Sequence, residues 1–365
     1  MKLEIVQNRR VLVNSTRKNF ELHPLWLRER VKTDSLVNKY NDQRLYDPSQ
    51  LNQNLEIRNA SVNNGHLNIE FTDGVRFKYK VNDLLYELDK KEPIEKVILW
   101  NSKLKKKPTA IYKKHIFETK EMYNLLQDFY KFGFVIFKKV PTEDNFILKF
   151  ANSIGTVRPT NFGESFSVKS VPKPNDLAYT SLPLAPHTDN PYRNPVPCIQ
   201  LLHCITNEVS GGFSTLVDGY TVTEDLKNEF KEYYDILTKV KVKFKFIDKD
   251  VILEGWSELI KLDENKEFKQ VKFSPRLDFV PILEKKELDL YYKARNKISE
   301  MYNSDNYRIE FKLMPGDLLM MDNYRLLHGR TEFDTNEGSR FLQGAYIDFD
   351  STEGKLRHLK RKFNF

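Results

Sequence analysis

The stretch Pro186-His187-Thr188-Asp189-Asn190 decides how this chain is read. On an extended strand successive side chains alternate between faces, so His187 and Asp189 point the same way and can grip one metal ion. A third ligand stands far downstream, where His328 follows an apolar run in Leu318-Leu319-Met320-Met321-Asp322-Asn323-Tyr324-Arg325-Leu326-Leu327-His328-Gly329-Arg330. Two imidazoles and one carboxylate on one face of a metal, with the other positions open, is the arrangement of non-haem Fe(II) oxygenases. His-x-Asp alone is a weak signal in a chain with seven His. The case rests on a fold that returns residue 328 to residue 187.

Runs rich in β-branched and aromatic residues predict strands at 199–204, 213–217, 240–246, 318–321 and 340–348. They suggest a mainly β protein with flanking helices, in which a double-stranded β-helix (jelly roll) encloses room for a small ligand. Helical spacing predicts helices over 122–132, 144–153 (capped near Thr142), 225–237 and 285–302. Residues 1–92 read as a small N-terminal β-rich domain, with strands at 3–6, 10–13, 55–58, 66–71 and 75–79 and a hairpin turn at Thr72-Asp73-Gly74. The charged, Pro-bearing stretch 93–113 reads as a linker, leaving 114–365 as the catalytic domain.

Aromatics make up 13% of the chain, with 25 Phe and 18 Tyr, which suits a folded β-rich protein and excludes a disordered one. The net charge of +8 arises from 59 basic residues interleaved with 51 acidic ones, so it reads as a solvated surface and not as a nucleic-acid footprint. The basic run 355–362 reads as the loose end of the chain. Cys198 and Cys204 lie six apart on one strand, too far along it to bond, and no CxxC pair exists, so neither a disulfide nor structural zinc is expected. The N-terminus has no apolar core of the signal-peptide type, and no window of about 18 uncharged apolar residues occurs. No membrane partner and a cytoplasmic location are the expectation. His203 reads as a core histidine, and no Walker A sequence, dinucleotide fingerprint or G-x-S-x-G elbow is present.

Arg340 follows His328 by twelve positions on the next strand, and a planar guanidinium there suits a carboxylate held by two parallel hydrogen bonds. At this point the motifs carry a resemblance. His187-Thr188-Asp189-Asn190-Pro191-Tyr192, Gln200-Leu201-Leu202-His203-Cys204, Ser214-Thr215-Leu216-Val217-Asp218-Gly219 and Leu327-His328-Gly329-Arg330 with Arg340 are similar to the γ-butyrobetaine hydroxylase family of Fe(II)/2-oxoglutarate dioxygenases, which is TauD/TfdA-like. That family also includes trimethyllysine hydroxylase and an oxygenase of 2-(trimethylamino)ethylphosphonate. The segment His23-Pro24-Leu25-Trp26-Leu27-Arg28 resembles its N-terminal β domain, so the likeness covers nearly the whole chain.

The resemblance implies that His187, Asp189 and His328 bind Fe(II), and that 2-oxoglutarate chelates the metal beside Leu202 with its far carboxylate on Arg340. O2 would be consumed in hydroxylating a C–H bond. It further implies a cage of aromatic rings around a trimethylammonium group, which cannot donate hydrogen bonds but is attracted to π faces. The matching positions are Phe162, Phe166, Tyr179 and Tyr346. A homodimer is also implied.

Two departures stand out. The family's zinc-binding cysteines are absent from the N-terminal domain. Where its carboxylate-reading asparagines would lie, this chain has Asp176 and Phe273-Ser274-Pro275-Arg276. Asp176 would repel an anion and Arg276 would attract one. γ-Butyrobetaine, giving carnitine, is therefore the first expectation, with 2-(trimethylamino)ethylphosphonate its rival. A metal-free jelly roll binding nucleic acid through its basic surface is the reading from another class, and it leaves His187, Asp189, His328 and Arg340 without a role.

Overall fold

The computed structural model describes residues 2–14, 19–88, 95–169 and 180–365. The chain divides into two units, 1–93 and 94–365. In the first unit, β1 (Lys2–Val6), β2 (Arg10–Asn14) and β3 (Phe20–Glu21) form one antiparallel sheet, and β4 (Ile57–Asn63), β5 (His66–Phe71) and β6 (Arg76–Lys80) form another. The strict alternation in β5 buries Leu67, Ile69 and Phe71 in a core shared with Val11, Val13 and Leu27. Two helices complete the unit, α1 (Pro24–Arg28) and α2 (Val81–Leu88). His23 caps α1 by accepting from the Leu25 backbone N–H at 3.2 Å. The turn expected at Thr72-Asp73-Gly74 is present, with Gly74 at φ +85° and Asp73 paired to the Arg28 guanidinium at 2.8 Å.

The second unit is built on two facing sheets. The larger contains β7 (Thr109–Ile111), β8 (Phe134–Lys138), β9 (Ser165–Val168), β11 (Ile199–Asn207), β19 (Leu318–Asp322) and β21 (Arg340–Ile347), in the order β7-β8-β19-β11-β21-β9. The smaller contains β10 (Leu184–His187), β12 (Ser214–Asp218), β18 (Arg308–Phe311) and β20 (Leu326–Arg330), in the order β10-β20-β12-β18. This interleaving of sequence-distant strands is the double-stranded β-helix. It closes long-range pairs, and it is what carries residue 328 to residue 187. Between the sheets lie Phe134, Cys204, Leu216, Leu319, Met321 and Leu342. The outer face of the larger sheet is covered by α3 (Lys120–Phe132), α4 (Phe146–Ile154) and α8 (Phe349–Phe363).

Residues 219–307 form a long insertion between β12 and β18. It contains α5 (Gly219–Glu229), α6 (Lys231–Leu237), α7 (Lys285–Asn303) and strands β13 (Lys241–Asp248), β14 (Val251–Glu258), β15 (Ile260–Leu262), β16 (Phe268–Val271) and β17 (Asp278–Phe279). Its core includes Phe244, Tyr291 and Tyr302 and is continuous with Tyr192, Val217 of β12 and Leu327 of β20. Among the described residues no helix is long and apolar enough to cross a membrane.

Four sequence expectations are corrected. The stretch read as a linker is, from residue 95, part of the second unit: Trp100 is buried, its indole N–H donates to the Phe132 carbonyl at 2.7 Å, and β7 pairs parallel with β8. The helix expected over 225–237 begins at Gly219, where the Asp218 side chain caps it, and breaks at Phe230 (φ −136°, ψ 59°). The cap of α4 is Asn145 in the left-handed region, not Thr142. The basic tail is not loose, since α8 buries Leu356 and Leu359 while Lys355 and Lys362 reach Glu118. Those lysines hold the Glu118 carboxyl down at about 2.

Candidate metal and substrate site

Strands β10 and β20 are antiparallel neighbours, and their register sets His187 directly opposite His328. Gly329 permits that approach, because a Cβ there would lie 2.5 Å from the Leu184 carbonyl oxygen. The imidazole rings stand 4.3 Å apart, centroid to centroid. His187 Nδ1 contacts the Ala185 carbonyl at 3.0 Å, which fixes the proton on Nδ1 and leaves the Nε2 lone pair for a metal. Asp189 lies just past the end of β10, clamped by Asn323. The Asp189 N–H donates to Asn323 Oδ1 at 2.8 Å, and Asn323 Nδ2 donates to the Asp189 carbonyl at 3.0 Å. Asp189 Oδ1 then sits 3.4 Å from His187 Nε2 and 3.7 Å from His328 Nε2. Among the described residues this is the one group of three or more His, Cys, Asp or Glu side chains close enough to hold a metal, with donor atoms within 4.8 Å of one another.

The electrostatics suit a divalent cation. Burial opposes charge on Asp189, but His328, His187 and the Tyr346 hydroxyl outweigh it and hold the carboxyl below the usual range. Burial, with His187 alongside, pushes the His328 imidazole down to about 3. An ionised Asp189 and a neutral His328 imidazole are the forms that a metal ion requires.

Arg340 opens β21, on the same face as Gly344 and Tyr346. The side chain is buried, its Nε has no hydrogen-bond partner among the described residues, and its Nη2 makes a 3.3 Å bond to the Gly212 carbonyl. Burial pushes its pKa down to about 10. Gly212 makes the space, since at φ +67° a Cβ would stand 2.8 Å from Arg340 Nε. A buried guanidinium with an unanswered N–H fits the far carboxylate of 2-oxoglutarate. Arg330 stands beside it, donating to the Thr180 and Leu182 carbonyls at 2.8 and 2.9 Å, and both guanidinium groups lie over Phe333.

Against the metal residues lies a pocket lined by His187, Asp189, Phe162, Phe166, Arg276 and Tyr346, among others. Of the predicted substrate residues, Phe162, Phe166, Tyr346 and Arg276 meet here. Asp176 and Tyr179 lie outside the described residues. Phe166 stacks on Tyr346 at 5.2 Å and faces Phe162 at 6.5 Å. Gly344, opposite Phe166 in register, is the floor under that ring, because a Cβ on it would sit 2.1 Å from Phe166 Cζ. Leu202 faces Gly344 across β11 and β21 and packs between the sheets.

Sequence reasoning missed two walls. Phe246 of β13 lies edge-on to Phe162 at 5.6 Å and stacks on Tyr192 at 5.1 Å, and the Tyr192 hydroxyl donates to Asn190 Oδ1 at 2.7 Å. The rings thus run Tyr346, Phe166, Phe162, Phe246, Tyr192, ending on Asn190. Tyr192 lay within a quoted motif, whereas Phe246 looked like any inward residue of an alternating strand.

Residues 112–346 match the family described as taurine catabolism dioxygenase TauD, TfdA family. The chain belongs to this family of iron- and 2-oxoglutarate-dependent dioxygenases. It is 32% identical to the gamma-butyrobetaine dioxygenase of Pseudomonas sp. (strain AK-1) over 222 residues, which are 61% of this chain and 58% of that protein. Less than two thirds of that relative's length is therefore matched. It is 28% identical to the mitochondrial trimethyllysine dioxygenase of Bos taurus over 353 residues, covering 92% of this chain and 82% of that one. Among solved structures, AAD-2 in complex with Mn(II) and N-oxalylglycine superposes with a TM-score of 0.53 at 14% identity, over 67% of this chain and 96% of that one, which shows a shared fold. His187, Asp189 and His328 form a triad that could hold the family's metal, and Arg340 is a buried guanidinium that could pair with the cosubstrate.

Proposed function

We propose that this dioxygenase hydroxylates a small trimethylammonium compound with an anionic group at its other end, γ-butyrobetaine being the first candidate. The observation that carries the reading is the contact between pocket and metal site: the Tyr346 ring stacks on Phe166 in the pocket wall, while its hydroxyl donates to Asp189 at 2.7 Å. A quaternary ammonium seated on these rings would hold its neighbouring carbons close to the ligand set. Both relatives named above act, by their names, on trimethylammonium compounds.

When bound, the iron with 2-oxoglutarate and O2 supplies the oxidation of a C–H bond. The protein supplies position. His187, Asp189 and His328 would hold the metal, and Arg340 would pair with the cosubstrate's far carboxylate. The aromatic pocket orients the substrate and keeps water from it. Arg276 lines the same pocket, where a fixed cation repels a purely cationic ligand and suits a zwitterion. A guanidinium pairs with a carboxylate or a phosphonate alike, so 2-(trimethylamino)ethylphosphonate is the alternative substrate.

Turnover assays with both compounds, following succinate and hydroxylated product, test the reading. Product from either supports it, with Arg276→Gln raising KM for the zwitterion more than for an uncharged-tail trimethylammonium analogue. Absence of product and of substrate-stimulated 2-oxoglutarate consumption with both refutes it.

A further inference from the structure

The carboxylate of Asp189 has two oxygens, and they are in different surroundings. Oδ1 faces the imidazoles. Oδ2 accepts two hydrogen bonds, from Gln200 Nε2 at 2.6 Å and from the Tyr346 hydroxyl at 2.7 Å. The donors are cross-strand partners, Gln200 on β11 opposite Tyr346 on β21. They are 2% and 4% exposed, so water does not compete for the bonds.

We propose that Gln200 and Tyr346 are positioning residues that restrict Asp189 to ligation through one oxygen, with Tyr346 acting from the wall of the substrate pocket. The argument is a count of coordination positions. A chelating keto acid takes two and O2 needs one, which leaves three of six for protein. A carboxylate binding through both oxygens would make four protein donors and close the position that oxygen requires. Two short donors on Oδ2 remove its lone pairs from the metal and fix the carboxylate plane. Both donors are buried, so water does not replace either bond if it is broken. The Gln200 amide presents its NH2 to the carboxylate, because its oxygen there would be repelled.

Tyr346 therefore has two separable parts, a ring that belongs to the pocket and a hydroxyl that belongs to the metal. The test is anaerobic titration with Fe(II), and with Mn(II) as a redox-stable probe, of wild type, Tyr346→Phe, Gln200→Leu and Phe166→Leu. Tyr346→Phe and Gln200→Leu are each expected to weaken metal binding about tenfold, and together more, as loss of ligand-orienting partners does elsewhere. The charge-transfer absorption of the Fe(II)–2-oxoglutarate complex shifts in both. Tyr346→Phe keeps the ring, so KM for the trimethylammonium substrate changes less than in Phe166→Leu, whose metal affinity stays that of wild type. Wild-type metal affinity and absorption in Tyr346→Phe would overturn the proposal. If Gln200→Leu proves unstable, Tyr346→Phe decides alone, since it removes a single oxygen. The metal titrations need no substrate. They stand or fall independently of the substrate reading, on which only the KM comparison rests.

Discussion

Gly344→Ala adds one methyl group at the floor of the pocket and should remove one of its walls. The new Cβ would lie 2.1, 2.2 and 2.8 Å from Cζ, Cε2 and Cε1 of Phe166. Carbon atoms in contact rest at about 3.5–4.0 Å, so the ring must retreat by roughly 1.5 Å or swing out of the stack with Tyr346. Overpacking of this kind costs about 1–3 kcal/mol of stability. Loss of one aromatic face from a desolvated cation site costs about 0.5–2 kcal/mol. At about 1.4 kcal/mol per tenfold, KM for the trimethylammonium substrate should rise between about twofold and thirtyfold. Fe(II) and 2-oxoglutarate affinity should hold, because the three atoms nearest the new methyl all belong to Phe166. The double variant Phe166→Leu with Gly344→Ala relieves the clash, and should regain stability without regaining KM. The assays are denaturant midpoints and steady-state succinate formation. A Gly344→Ala enzyme with unchanged KM, or a double variant no more stable than Gly344→Ala, would refute the reasoning.

Arg340→Lys loses the planar fork, and KM for 2-oxoglutarate should rise about 10- to 100-fold, the equivalent of about 1.5–3 kcal/mol for a charged hydrogen bond. Gly212→Ala should act in the same direction by crowding Arg340 Nε, and cosubstrate saturation curves check both. Asp218→Ala strands Arg325, whose guanidinium makes bonds of 2.9 and 2.6 Å to Asp218 in a fully buried pair. Urea unfolding should show a loss of about 3–5 kcal/mol, and a loss below about 1 kcal/mol would contradict the assignment. Burial pushes the His203 imidazole from 6.5 down to about 4. Between those values the unfolded chain binds more protons than the native one, so stability falls as pH drops through the window, by up to about 1.4 kcal/mol per pH unit. His203→Leu should flatten that dependence in denaturation curves recorded from pH 7 to pH 4.

The His-x-Asp pair was legible as a spacing, but only His187 is on the strand; Asp189 lies just past the end of β10 and is placed by the clamp of Asn323, which no strand period predicts. His328 and Arg340 followed once both were placed on strands of the same barrel. Gln200 was quoted in a motif, but nothing in a sequence says which carboxylate an amide will meet across the sheet. Phe246 was hidden for a similar reason, since its position in the pocket depends on where the insertion folds and not on the alternation of β13 itself. Trp100 and Leu356 with Leu359 were undervalued because charged neighbours dominate their segments. Each buries apolar surface that composition averages away, and Trp100 anchors a stretch that reads as a tether.

The pocket has two sources. The triad His187, Asp189 and His328, with Arg340 and Gly344, sits on or immediately beside strands of the barrel, while Phe246 and Arg276 come from residues 219–307, whose core also takes in Tyr192, Val217 and Leu327. The insertion thus supplies part of the pocket wall, beside Phe162, Phe166, Tyr192 and Tyr346 from outside it, and none of the metal triad. A library confined to the insertion can vary Phe246 and Arg276 while the metal triad and the other four rings of the wall are inherited unchanged.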